Sequence, residues 1–275
     1  MLKRPKQTSP TRAAGSAYGV GLVFEASDPE LLQAMLDCTP PAWTAGGEQA
    51  GARTFSVAPE AGEEYSLARD GHTLLLGDEA DVLEELERNI RMQLAYNAAE
   101  HFFLHAGAVA VNGQGIIVPG ATFSGKTSLV TALVQAGATY YSDENAVLDT
   151  SGALHPYPKP LGLRLTEGLS VQTPHHISEL GEVSGAEPLA VALVVVTEYR
   201  PGASWEPVQL SPAETVQVLM KHTFRGLDRP AETLQAMHRA TQGAIGLVGD
   251  RGEAAQTAAM LIDAVAEAGP RLPPA

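Results

Sequence analysis

The chain has 275 residues, 44% of them hydrophobic, with a formal net charge of -14 and a pI near 4.9. That length can hold one large core or two modest ones, and an acidic surface repels nucleic acid and anionic lipid. The single cysteine excludes an internal disulfide framework and a cysteine-based zinc cluster and fits a reducing cytoplasm. Neither nucleic acid nor a membrane is therefore expected as a partner.

The opening "MLKRPKQTSPTRAAGS" is basic but lacks the apolar stretch of a secretory signal, so residues 1–17 are expected as a flexible basic tail. No apolar run approaches the length that spans a bilayer. "YGVGLVFEA" reads as a strand, and "DPELLQAMLDC" as a helix opened by Asp28 with Pro29 in its first turn and Cys38 near its end. "ARTFSVA" and "HTLLLGD" are short strands separated by turn-rich, acidic residues. From Glu79 to Asn97, the positions Val82, Leu83, Leu86, Ile90, Met92 and Leu94 recur at helical spacing. Residues 18–100 thus predict a small α+β domain.

Residues 101–275 read as a second, mixed α/β domain. Two apolar runs flank "NGQG" in "FFLHAGAVAVNGQGIIVPG", which predicts paired strands. A helix follows and ends at Gly137, a left-handed cap. "ATYYSDENAVLD" reads as strand, acidic bend and strand, and "PLAVALVVVTEY" as a buried strand that "RPGAS" turns into "WEPVQL". "SPAETVQVLMKHTF" opens a helix with a capping box between Ser211 and Glu214 and with Pro212 in the first turn. Helices at 229–241 and 253–268 surround a short strand, "AIGLVG".

Between the second apolar run and its helix stands "GATFSGKTS", which fits the pattern G-x-x-x-x-G-K-S/T. Glycines bring backbone N–H groups close to phosphate oxygens, and the helix N-terminus adds its positive dipole end. Gly120, Ala121, Thr122, Phe123, Ser124, Gly125, Lys126, Thr127 and Ser128 are the expected nucleotide cradle. Lys126 would reach the β and γ phosphates, and the Thr127 hydroxyl would ligate Mg²⁺. A bare strand-to-helix turn is the structural alternative. One helix later come Asp143 and Glu144, one to hold the metal and the other to take the acceptor's proton. An ordinary acidic turn competes with that reading, and Glu198, ending a buried strand, is a further metal-side candidate.

The run "FLHAGAVAVNGQGIIVPGATFSGKTSLVTALVQAGATYYSDENAVLD" resembles the catalytic core of HPr kinase/phosphorylase and its bacterial relatives. The likeness is clear over 101–164 and weaker to about 265. It implies a mixed-sheet P-loop catalytic domain of the HPr kinase/PEP carboxykinase type at 101–275, using ATP or GTP with Mg²⁺. It implies Asp143 as the first residue of the family's acidic pair, Glu144 where the bifunctional enzyme has a second aspartate, and His105 beside them. Lys159 and Arg164 in "YPKPLGLR" are candidate cations for the transferring phosphoryl group, against an ordinary surface loop. The glycine-rich, arginine-containing signature of phosphorolysis is missing. The expectation is a kinase acting on a serine or threonine hydroxyl of a peptide or protein, and the resemblance implies a homo-oligomer. A catalytically silent nucleotide-binding module and a small-metabolite kinase are the alternatives.

Overall fold

A computed structural model describes residues 11–120, 124–158, 161–163, 173–175, 185 and 187–269, and the chain divides into two units, Met1–Ala99 and Glu100–Ala275. In the first, β1 (Thr11–Ala17), β2 (Val20–Ala26), α1 (Pro29–Asp37), β3 (Thr44–Ala45), β4 (Arg53–Pro59), β5 (Tyr65–Arg69), β6 (His72–Gly77) and α2 (Glu79–Asn97) follow in order. The sheet order is β3-β1-β2-β4-β5-β6, with β2 and β4 parallel across α1 and the other neighbours antiparallel. Asp28 accepts from the Leu31 N–H at 2.9 Å, and Asp78 from the Asp81 N–H at 2.9 Å, so each helix begins where a carboxylate satisfies a first-turn donor. The buried stripe of α2, Val82, Leu86, Ile90 and Leu94, belongs with Leu22, Phe24, Phe55, Val57 and Leu67 to the apolar interior of this unit.

Two expectations are corrected here. Residues 11–17, expected within the flexible tail, form β1 and pair along their length with β2, from Thr11 opposite Ala26 to Ala17 opposite Val20. Alanine, glycine and serine give this strand no hydrophobic alternation; the pairing depends on the Tyr18–Gly19 turn, whose φ angles are 50° and 76°. Close approach matters too, because a Cβ on Gly15 would strike the Thr44 carbonyl and the Trp43 ring. Residues 65–69, expected inside a turn-rich link, form β5, joined to β6 by Asp70–Gly71 with φ of 50° and 78°. Only Leu67 of that strand is buried, which hides its alternation.

The second unit contains β7 (His101–Val111), β8 (Gln114–Pro119), α3 (Lys126–Gln135), β9 (Thr139–Ser142), β10 (Asn145–Asp149), β11 (Leu154–His155), β12 (Leu161–Leu163), β13 (Thr173–His175), β14 (Val191–Tyr199), β15 (Val208–Leu210), α4 (Pro212–His222), α5 (Pro230–Ala240), β16 (Ile245–Arg251) and α6 (Ala254–Ala268). Its main sheet is mixed, in the order β11-β10-β7-β8-β14-β16-β15, with β9 also on β7 and with β8, β14 and β16 parallel. Asn112 and Gly113 turn β7 into β8 with φ of 51° and 73°, the geometry a two-residue hairpin requires. Val109, Val111, Ile116, Val118, Leu193 and Val195 pack under α3 and α6. Phe102, Leu104, Ala106 and Ala108 face the other way, toward Val216 and Leu219 of α4 and Met237 of α5. The unit is therefore a helix–sheet–helix sandwich of mixed α/β class. Among the described residues no helix is long and apolar enough to cross a membrane.

Candidate functional site

β8 is buried from end to end and stops at Pro119, just before the glycine-rich turn. Gly125 precedes α3 with φ of 84°, a left-handed backbone that only glycine adopts without strain. A Cβ there would also run into the Arg251 guanidinium, and one on Gly120 would lie 2.5 Å from Ser124 Oγ. Gly125 is thus required by its backbone conformation, and a side chain at Gly120 would have to displace Ser124. Ala121, Thr122 and Phe123 lie outside the described residues, as do Lys159 and Arg164.

Lys126, the first residue of α3, is 8% exposed. Its Nζ donates to the Gly120 carbonyl at 2.7 Å and lies 3.2 Å from His105 Nε2. An ammonium has no lone pair, so Nε2 accepts this bond and the imidazole is neutral with its proton on Nδ1. Burial pushes the Lys126 pKa below its ordinary value, while Asp143 and Glu144 pull in the opposite direction. Both carboxylates therefore lie within electrostatic reach of the ammonium.

Thr127 Oγ1 donates to Asp143 Oδ2 at 3.0 Å. Asp143 is 7% exposed and sits in the bend between β9 and β10, whereas Glu144 is half-buried and its carbonyl accepts from the Ala106 N–H at 3.2 Å. His105 stands opposite Asn145 in the β7–β10 ladder, which turns its ring to the same face of the sheet as the Asn145 side chain. Close packing of α3 on β7 depends on Gly107, where a Cβ would lie 2.5 Å from Val130 Cγ2. Gly120, Gly125, Lys126, Thr127, His105, Asp143 and Glu144 are thus gathered around the first turn of α3, with Ser124 and Ser128 beside them. Glu198 is not part of this group: its side chain is 72% exposed and lies 3.9 Å from Arg200.

The donor set fits magnesium. A hydroxyl and a carboxylate 3.0 Å apart offer hard oxygen atoms, and Mg²⁺ is held by one or two carboxylates while phosphates and water complete its shell. Among the described residues no group of three or more His, Cys, Asp or Glu side chains is arranged for a metal by itself.

Three residues here escape sequence reasoning. Arg251 is 2% exposed, with Nη2 donating to the Gly125 carbonyl at 2.8 Å and Nη1 to the Gly252 carbonyl at 2.9 Å. Asn145 is fully buried, and neither atom of its amide has a hydrogen-bond partner among the described residues. His222 at the end of α4 has its pKa lowered by burial, then by Lys221 and by Lys126, which sets it near the same ammonium. A charged residue closing a strand reads as solvated, and an asparagine beside acidic residues reads as part of a turn; neither pattern signals burial.

No protein-family model matches the chain, and no curated protein matches it significantly. Among solved structures, the Hpr(Ser) kinase/phosphatase from Coxiella burnetii is similar over 60% of this chain and 94% of its own, with 15% identity and a TM-score of 0.34. A likeness that distant leaves the chemistry to be read from the residues themselves.

Proposed function

We propose that the chain is an ATP-dependent kinase that transfers a phosphoryl group to a hydroxyl, that of serine or threonine in a peptide or protein. The observation that carries this reading is the convergence of two pairs at one helix start: Lys126 with His105 at 3.2 Å, and Thr127 with Asp143 at 3.0 Å. The turn from Gly120 to Ser128 is then a P-loop whose backbone N–H groups and helix N-terminus hold the nucleotide phosphates. Lys126 carries the positive charge toward the β and γ phosphates, and neutral His105 fixes where that charge points. Magnesium, held by Thr127 and the acidic pair of Asp143 and Glu144, would neutralise charge on the phosphates. GTP fits the same cradle, since backbone N–H groups and a helix N-terminus bind phosphate whatever base it carries.

The transfer balances simply. The acceptor oxygen bonds to the γ phosphorus, the bond from that phosphorus to the β–γ bridging oxygen breaks, and ADP leaves. The hydroxyl proton passes to a carboxylate. Asp143 can hold Thr127 through one oxygen and receive the proton on the other, while Arg164 supplies charge to the transferring group. The test is incubation with ATP, Mg²⁺ and a panel of serine- and threonine-containing peptides and proteins. Asp143→Asn should lower transfer by roughly 10²- to 10⁴-fold, the usual contribution of a positioned acid or base, with nucleotide still bound. Undiminished transfer in that variant would remove Asp143 from the chemistry.

A further inference from the structure

β8, β14 and β16 run parallel, so their C-terminal ends share one edge of the sheet, the edge where open α/β sheets bind ligands. The glycine-rich turn leaves β8 there. The last pair of the β14–β16 ladder, Tyr199 opposite Arg251, ends at the same edge. An ideal Cβ on Gly125 would stand 3.6 Å from the Tyr199 Cβ, so this pair adjoins the turn directly.

The two side chains differ in a telling way. Arg251 is the largest fully buried side chain, its guanidinium held by two carbonyls, and no carboxylate is ion-paired with it among the described residues. Tyr199 lies over it, with the ring centroid 5.5 Å from Cζ, yet 44% of the tyrosine remains exposed. Its hydroxyl donates to Glu253 Oε1 at 3.3 Å, which fixes the far end of the ring. An aromatic ring backed by a cation, pinned at its tip and open to solvent is a stacking platform, because a flat π system binds it with little loss of side-chain freedom.

We propose that Tyr199, backed by Arg251, is the seat of the nucleobase: the base stacks on the exposed ring while the phosphates of the same nucleotide lie in the turn at Gly125. This rests on the reading of that turn as a phosphate cradle and adds to it a contact with the nucleoside. The tyrosine stacks on any base, so it contributes affinity without choosing between adenine and guanine.

Calorimetric titration of the full chain with ATP and with inorganic tripolyphosphate, each with Mg²⁺, separates the two readings. Tyr199→Ala should weaken ATP binding roughly ten-fold, within the range for one base on one aromatic ring, and leave tripolyphosphate binding unchanged; Tyr199→Phe should bind ATP like the wild type. Tripolyphosphate bound by both proteins, with ATP affinity unaltered in Tyr199→Ala, would overturn the nucleobase seat and leave the cradle standing. Equal losses for both ligands would show that the ring only supports the turn, and would also overturn it. A wild-type chain that binds neither ligand would remove the cradle and this proposal together.

Discussion

The Thr127 hydroxyl donates to Asp143 Oδ2 at 3.0 Å, joining the first turn of α3 to the bend that follows β9. Through this bond a side chain in the first turn of α3 and a buried carboxylate are set as one unit. Thr127→Val keeps the shape and deletes the oxygen. Its Mg²⁺-dependent nucleotide affinity should fall by roughly ten-fold, the scale of one hydrogen bond to a charged group, with Mg²⁺-free binding little changed. Thr127→Ser should restore it. Titrations with and without Mg²⁺ check both outcomes, and equal losses under the two conditions would separate Thr127 from the metal.

Lys126→Met should cost more. The methionine retains most of the buried stem but removes a cation that bonds to Gly120 and His105. Charge-assisted bonds to phosphate put the loss of tripolyphosphate affinity at roughly 10- to 150-fold, with the thermal midpoint unchanged or higher because a buried charge has gone. Unaltered affinity would show that the lysine only ties Gly120 and His105 to the start of α3.

Gly107→Ala tests the scaffold rather than the chemistry. The added methyl would press on Val130 Cγ2 and push α3 off β7. Overpacking of this kind costs about 1–3 kcal/mol, measurable as a lower urea midpoint, and nucleotide affinity should drop with it because α3 carries Lys126 and Thr127.

Acidification should destabilise the second unit from about the ordinary histidine pKa downward. Burial, followed by His155, pushes the His101 imidazole below 6.5, and Asp149 and Glu100 oppose this only in part. The unfolded chain therefore takes up the proton first, so stability present above pH 6.5 is lost as pH falls toward the folded-state pKa. Urea midpoints measured in steps below pH 7 should decline in the wild type, and His101→Phe should flatten that decline. An identical slope in the variant would assign the acid sensitivity elsewhere.

The parts of the fold legible in the sequence are those encoded locally. The helix at 79–97 shows its buried stripe in the spacing of Val82, Leu86, Ile90 and Leu94, and the capping box of α4 is written in Ser211 and Glu214 and realised in both directions. Lys126 and Thr127 are likewise read from a contiguous string. What stays hidden depends on partners distant in the chain. β1 is a strand because β2 and β3 hold it, and Arg251 reaches a carbonyl 126 positions away. Sequence order also says nothing of β14 lying beside β8, the neighbourhood that brings Tyr199 to the edge of the turn.

β7 changes partners midway, pairing with β10 up to His105 and with β8 from Ala106 onward. Side chains on a strand alternate faces with a period of two, so one residue inserted between His105 and Gly107 would carry the imidazole over to the layer of Phe102 and Leu104. Lys126 would lose its contact with His105, keeping the Gly120 carbonyl, while an apolar layer gained a polar ring. Across those three positions the spacing is constrained together with the residue types at His105 and Gly107, and natural variants should show no change of length there.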